Sequence, residues 1–195
     1  MSDRDDQDAT SARDRIARSE RSVLLVIDLQ DSYTGKLHEE ARVVTATGRL
    51  IQAASILGVP TIVTEQYPER LGSTRQEIAT LLGTDATLFS KRTFSCLGAE
   101  GLSDHLGALK RDQVVVAGIE THVCVNQTVH DLLDLGYRAH IVRDALTSRF
   151  ALEDEVGFAK MVGSGAIPTS VESLVFEWLE DSRADAFKAI HKLVV

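Results

Sequence analysis

Three side chains that could act together on a carbonyl carbon stand far apart in the chain: Asp28, Lys91 and Cys124. A thiol becomes a nucleophile when a base takes its proton; a carboxylate can be that base, and a nearby ammonium favours the thiolate. Cys124 closes the stretch GIETHVC, which follows the valine-rich run QVVVA. The pattern puts it in the first turn of a helix starting near His122, where unpaired N–H groups and the helix dipole lower a thiol pKa. Asp28 ends the apolar run VLLVID and is costly to bury unless something pairs with it. The plainer alternatives are a turn aspartate accepting backbone N–H bonds and a cysteine that packs as a small hydrophobe.

The elements that must position these residues alternate along the chain. Apolar runs at 23–28, 59–65, 86–91, 113–118, 138–145 and 166–169 read as strands. Between and after them, 42–57, 74–82, 102–109, 122–135, 152–163 and 170–181 read as helices, the first stopped by Gly58 before Pro60. Strands alternating with helices form βαβ units, so the expected fold class is α/β, a three-layer α/β/α sandwich. With 195 residues the chain fits one domain, 21–195, behind a charged tail, 1–20, expected to be disordered. In open parallel sheets ligands bind outside the carboxyl ends of the strands, which gathers Asp28, Lys91 and the GIETHVC turn in one cleft.

The same rule nominates further pocket residues. Gln30 and Tyr33 follow Asp28, and Gln66 and Tyr67 end the second strand. Phe94 lies just past Lys91, and Thr121 and His122 flank the turn. Each has a plain alternative as a cap or a core contact. Cys96, near the Lys91 segment, is a rival nucleophile or a resolving thiol, but it lacks CxxC spacing. No GxGxxG or GxxxxGK[ST] is present, which removes the main support for a nucleotide cofactor. The net charge of -8 argues against nucleic acid as a partner. Two cysteines make no disulfide framework, the first 22 residues lack an apolar signal segment, and no run is long enough to span a membrane. A cytoplasmic protein without membrane attachment is expected.

Taken together, VLLVIDLQDSY, FSKRTFSC, VVVAGIETHVCVNQTVHDLLDLGYRAHIVRDALTSR and GAIPTSVESLVFEWL resemble the isochorismatase-like cysteine hydrolases, with GIETHVCV the most specific piece. The resemblance runs from Val23 to about Leu179 and is nearest to the isochorismatase domain-containing branch. It implies a six-stranded parallel sheet in the order 3-2-1-4-5-6 and a triad of Asp28, Lys91 and Cys124. It also implies a cis peptide before Glu120, with the backbone N–H groups of Glu120 and Cys124 forming the oxyanion hole. Nicotinamidases of this group bind a metal through an aspartate and histidines; here that region holds only His38, and TEQYPERLG has no DxH pair, so no metal and no cofactor are expected. The presence of Cys124 points to hydrolysis of a C–N bond in a small amide, ureide or carbamoyl compound. The alternatives are a catalytically silent scaffold that binds a partner and a vinyl ether hydrolase of the isochorismate type. A homodimer or homotetramer is also implied.

Overall fold

The computed structural model describes residues 12–194. Six strands, β1 (Ser22–Ile27), β2 (Thr61–Gln66), β3 (Thr87–Lys91), β4 (Gln113–Ile119), β5 (Arg138–Thr147) and β6 (Ile167–Thr169), form one parallel sheet in the order 3-2-1-4-5-6. The crossovers carry α1 (Glu40–Leu57), the single turns α2 (Pro68–Leu71) and α3 (Gln76–Ala79), α4 (Leu102–Ala108), α5 (Asn126–Asp134) and α6 (Ala151–Gly163). Past β6 follow α7 (Val171–Leu179) and α8 (Phe187–Val194). The expected fold class and strand order are both observed.

Every residue of β1 and β4 is buried, which explains their unbroken apolar runs. Alternate side chains go to opposite faces. Leu24, Val26, Val115 and Ala117 pack with Leu50, Trp178 and Ile190 on one side. Leu25, Ile27, Val114 and Val116 pack with Leu102, Val129 and Met161 on the other. With both faces of the central strands covered, the open end of the sheet is left for chemistry.

Four local readings change. The helix expected over 74–82 contracts to α3, because Glu65 Oε1 takes both the N–H (2.6 Å) and the hydroxyl (2.8 Å) of Thr74 while Arg75 N–H donates to Leu29 O (2.8 Å). These bonds hold 74–75 extended. The loop at 66–72 instead contains α2, with Pro68 at its start, where a missing N–H costs nothing. β5 continues to Thr147 beyond a register irregularity opposite Val116 and Gly118. A last helix, α8, was not anticipated; its buried Ile190 joins the α1 face.

Residues 1–11 of the expected tail lie outside the described residues. From Ile16 on, that stretch is bonded to the body, with Gln113 Nε2 donating to Ile16 O (2.9 Å) and Ala17 fully buried. Ala17 N–H donates to Glu177 (2.7 Å) and Arg18 N–H to Gln113 Oε1 (2.8 Å). Trp178 Nε1 donates to Ser22 Oγ (2.9 Å), so α7 packs on the chain's own body. No helix among the described residues is long and apolar enough to cross a membrane.

His140 sits fully buried in β5, and neither ring nitrogen has a partner among the described residues. Burial, helped by Arg15, Arg138 and Arg21, lowers its pKa to about 4, while Asp112 opposes the shift. The folded state therefore resists a proton that the unfolded chain takes up near the ordinary value of 6.5. Stability should be intact above that value and decline as pH falls toward about 4, by up to about 3 kcal/mol. Urea unfolding over this window checks it: His140→Leu should flatten the acid limb, and an unchanged slope would count against His140 as its source.

Candidate active site

Three strand ends meet at one edge of the sheet. Asp28 follows β1 in the left-handed region, φ 52°, a conformation that aspartate tolerates better than most residues. Its N–H donates to Thr64 O (3.0 Å) and its carbonyl accepts from Gln30 N–H (2.8 Å), so the turn is held on both sides. β4 closes against it through Gly118, φ 116°, where any Cβ would overlap the backbone of Ile27. Only glycine permits that approach. The peptide bond Ile119–Glu120 is cis.

Lys91, the last residue of β3, donates from Nζ to Asp28 Oδ2 at 2.7 Å. Its side chain is fully buried and that of Asp28 is 3% exposed. Nζ also donates to Gln66 Oε1 (2.7 Å) and the carbonyls of Phe94 (3.0 Å) and Thr93 (3.3 Å). Thr64 Oγ1 donates to the other carboxylate oxygen of Asp28 at 2.7 Å. Burial is the largest influence and works to lower the Lys91 pKa, but the charge of Asp28, the neighbouring Cys96 and Cys124 and the hydrogen bond to Asp28 together outweigh it, and the ammonium is held above its ordinary value. The carboxylate thus enters the site charged, bonded through both oxygens and fixed in orientation.

Cys124 is buried and borders the cavity. It does not sit on a regular α-helical turn. Thr121–Val125 form a turn of π-helix, in which Glu120 O accepts from Val123 N–H (3.0 Å) and Val125 N–H (3.3 Å), and α5 begins only at Asn126. Thr128 fixes the turn by donating to Cys124 O (2.7 Å) while accepting from Cys96 N–H (2.9 Å). Behind it Gly157 of α6 lies so close to His122 that a Cβ there would meet backbone atoms at 2.8 Å.

The thiol pKa is raised, against the expectation of a preformed thiolate. Burial is the main cause, the negative charge of Asp28 and its hydrogen-bonding proximity add to it, and Lys91 offsets only part. The Lys91 ammonium is bonded to the Asp28 carboxylate, and its own pull on the thiol is smaller than the push from burial and from Asp28. At rest Cys124 is a neutral thiol beside a charged base.

Asp28 and Cys124 line a cavity of about 450 Å³, the size of a small-metabolite site, and Lys91 stands behind Asp28 outside the lining. Of the pocket residues nominated from the sequence, Tyr33, Gln66, Tyr67 and Phe94 line the cavity, together with Glu120. Three others do not. Gln30 is fully buried and clamps the loops, donating to Gln66 O (3.0 Å) and Gly72 O (2.6 Å) and accepting from Gln66 N–H (2.8 Å). Thr121 donates to Asp154 Oδ1 (2.5 Å) under α6, and His122 Nδ1 meets Ser148 Oγ (2.9 Å). Each of these three side chains is engaged by another part of the protein.

Cys96 lies fully buried with Sγ 3.6 Å from Thr64 Oγ1, and burial raises its pKa to about 11. It does not line the cavity. Sequence reasoning missed Thr64, Arg70 and Arg149. The strand-end rule applied to all of β5 would have reached Arg149, whose Nε donates to Glu120 Oε1 at 2.9 Å. Arg70 on α2 carries no such signal. Among the described residues, no group of three or more His, Cys, Asp or Glu could hold a metal ion.

The model of the isochorismatase domain matches residues 22–173, most of the chain and all of this site. The chain belongs to the isochorismatase family. Among its relatives, a secreted isochorismatase effector, Isc1, of Phytophthora sojae is 40% identical over 191 residues, covering 95% of this chain and 90% of that protein. Isochorismatase domain-containing protein 2 of Xenopus laevis is 33% identical, covering 89% and 83%. A solved family structure, described as the MAR1 ribonuclease of Caenorhabditis elegans, superposes with a TM-score of 0.87 at 37% identity, covering 91% of each chain.

Within this isochorismatase fold the charge arrangement makes a specific forecast. Alkylation of Cys124 by iodoacetamide, followed by mass spectrometry, should titrate above the ordinary thiol value of about 8.5. Asp28→Asn should bring the apparent pKa down, because it removes the nearest negative charge. A wild-type value below that of a free thiol would overturn the neutral-thiol resting state.

Proposed function

We propose that the protein is a metal-independent cysteine amidohydrolase that cleaves the C–N bond of a small amide, ureide or carbamoyl metabolite. The observation that carries this reading is the buried Lys91–Asp28 pair, 2.7 Å apart, whose Asp28 lines the same cavity as Cys124. A carboxylate so held has one task open to it toward a neutral thiol, which is to take its proton as the sulfur bonds to carbon.

Asp28 removes the thiol proton while Cys124 Sγ attacks the carbonyl carbon. The backbone N–H groups of Glu120 and Cys124 take the developing oxyanion. Asp28 then passes its proton to the departing nitrogen, the C–N bond breaks, and a thioester remains on Cys124. Water adds to the thioester with Asp28 again as base, the carbon–sulfur bond breaks, and the thiol is restored. The balance is one amide and one water in, one carboxylic acid and one amine out. Lys91 keeps its proton throughout and holds Asp28 in place.

The net charge of -8 does not supply the basic surface that RNA binding calls for, so the reading keeps to a small molecule. Self-association as a homodimer or homotetramer would cover the exposed Phe150, Leu152 and Val156 beside the site. Two free cysteines fit a reducing, cytoplasmic setting, although the Phytophthora relative is called secreted. That relative's description as an isochorismatase favours a second reading, vinyl ether hydrolysis, which releases pyruvate instead of ammonia.

A screen of small amides and ureides for ammonia release tests the proposal. Cys124→Ala should lose about a thousandfold or more in turnover with its thermal unfolding unchanged. A retained rate sinks the nucleophile reading, and pyruvate from an isochorismate-type substrate with no ammonia from any amide favours the second.

A further inference from the structure

The charges around the cavity do not cancel. Asp28 is matched by Lys91, and Glu120 by Arg149, whose bonds to it run through Nε (2.9 Å) and the backbone N–H (3.2 Å). The terminal nitrogens of Arg149 have no partner among the described residues, and its side chain is 48% exposed. Across the mouth, Arg70 on α2 also lines the cavity and is exposed. It makes no ion pair among the described residues; its guanidinium lies 5.6 Å from the Tyr67 ring centroid. The other face-on cation at that ring, Arg92 at 3.3 Å, is paired with Glu69 (3.6 Å) and lies outside the lining.

Asp28, Glu120, Arg70 and Arg149 line the cavity and Lys91 pairs with Asp28 from outside the lining, so the charged groups at the site sum to one positive charge, in a chain whose net charge is -8. Composition alone would favour the opposite sign. Tyr33 adds a neutral donor to the same wall: burial first, then the charges of Glu120, Cys124 and Asp28, keep its hydroxyl protonated. Guanidinium groups with unused donors, beside a phenol hydroxyl and an apolar wall from Phe94 and Leu71, make a receptor for a planar anion.

We infer that the substrate is an anionic carboxamide, a short molecule whose amide end reaches Cys124 and whose carboxylate end is held by Arg70 and the terminal nitrogens of Arg149. This deepens, and rests on, the reading of Cys124 as the nucleophile. The carboxylate is bound at the mouth and takes no part in the chemistry. The amide end meets only the neutralised Asp28–Lys91 pair, which has no net charge to repel it.

Protection of Cys124 from iodoacetamide at mildly alkaline pH is the direct test, with succinamate and butyramide as probes. The two share an amide and a similar length and differ in the far-end carboxylate. Succinamate should half-protect at about a tenfold lower concentration than butyramide, the ratio expected when a charge-assisted bond is gained. Arg70→Gln, a change at an exposed position, should shrink that preference. Raising the salt concentration should weaken only succinamate. Equal protection by both amides, or a preference that survives in Arg70→Gln, overturns the anionic-substrate inference and leaves the amidohydrolase reading standing. Protection by neither amide while Cys124 remains alkylatable overturns both.

Discussion

The site depends on a lysine and an aspartate that have been taken out of water together. Removing one member of such a pair leaves a buried charge without compensation, typically at a cost of about 3–5 kcal/mol. This protein limits the desolvation cost by using up the bonding capacity of both groups. Lys91 finds four acceptors, and Asp28 is bonded through each carboxylate oxygen and its backbone N–H. β1, β2 and β3 each contribute to that arrangement through Asp28, Thr64, Gln66 and Lys91, so the sheet and the reactive centre are held by the same bonds.

The pair also sets the state of the sulfur. A lysine bonded to the carboxylate offsets only part of what burial and Asp28 do to the sulfur, which favours thiol and base side by side. A neutral resting sulfur is less exposed to chance alkylation and oxidation, which proceed through the thiolate. In the proposed reaction the proton moves when a substrate carbonyl is in place, which ties activation to occupancy of the cavity.

Much of this was legible in the residues. The unbroken apolar runs of β1 and β4 identify central strands, and the rule about strand carboxyl ends then gathers Asp28, Lys91 and Cys124. What pattern could not supply were contacts between segments. Gln30 looks like a pocket residue by position, but the loop that brings Gly72 over it turns it into a clamp. Thr121 and His122 are drawn away by Asp154 and Ser148, far along the chain. The lowered thiol pKa expected from a helix start failed because burial and the order of charges, neither visible in one dimension, outweigh the local dipole. The helix signal in 74–82 likewise gave way to a carboxylate on β2, Glu65, that claims Thr74.

Gly118 is not itself among the cavity-lining residues, yet its bare α-carbon is what lets β4 lie flush against the end of β1. Side chains alternate along a strand, so the alignment of Gly118 with Ile27 fixes which way Asp28 and the turn carrying Cys124 emerge. The glycine acts as an index mark between the strand that carries the base and the strand that carries the nucleophile. Loops around the rim are free to vary and change what is bound, whereas the distance between base and sulfur is written into the backbone, where a single methyl group would disturb it.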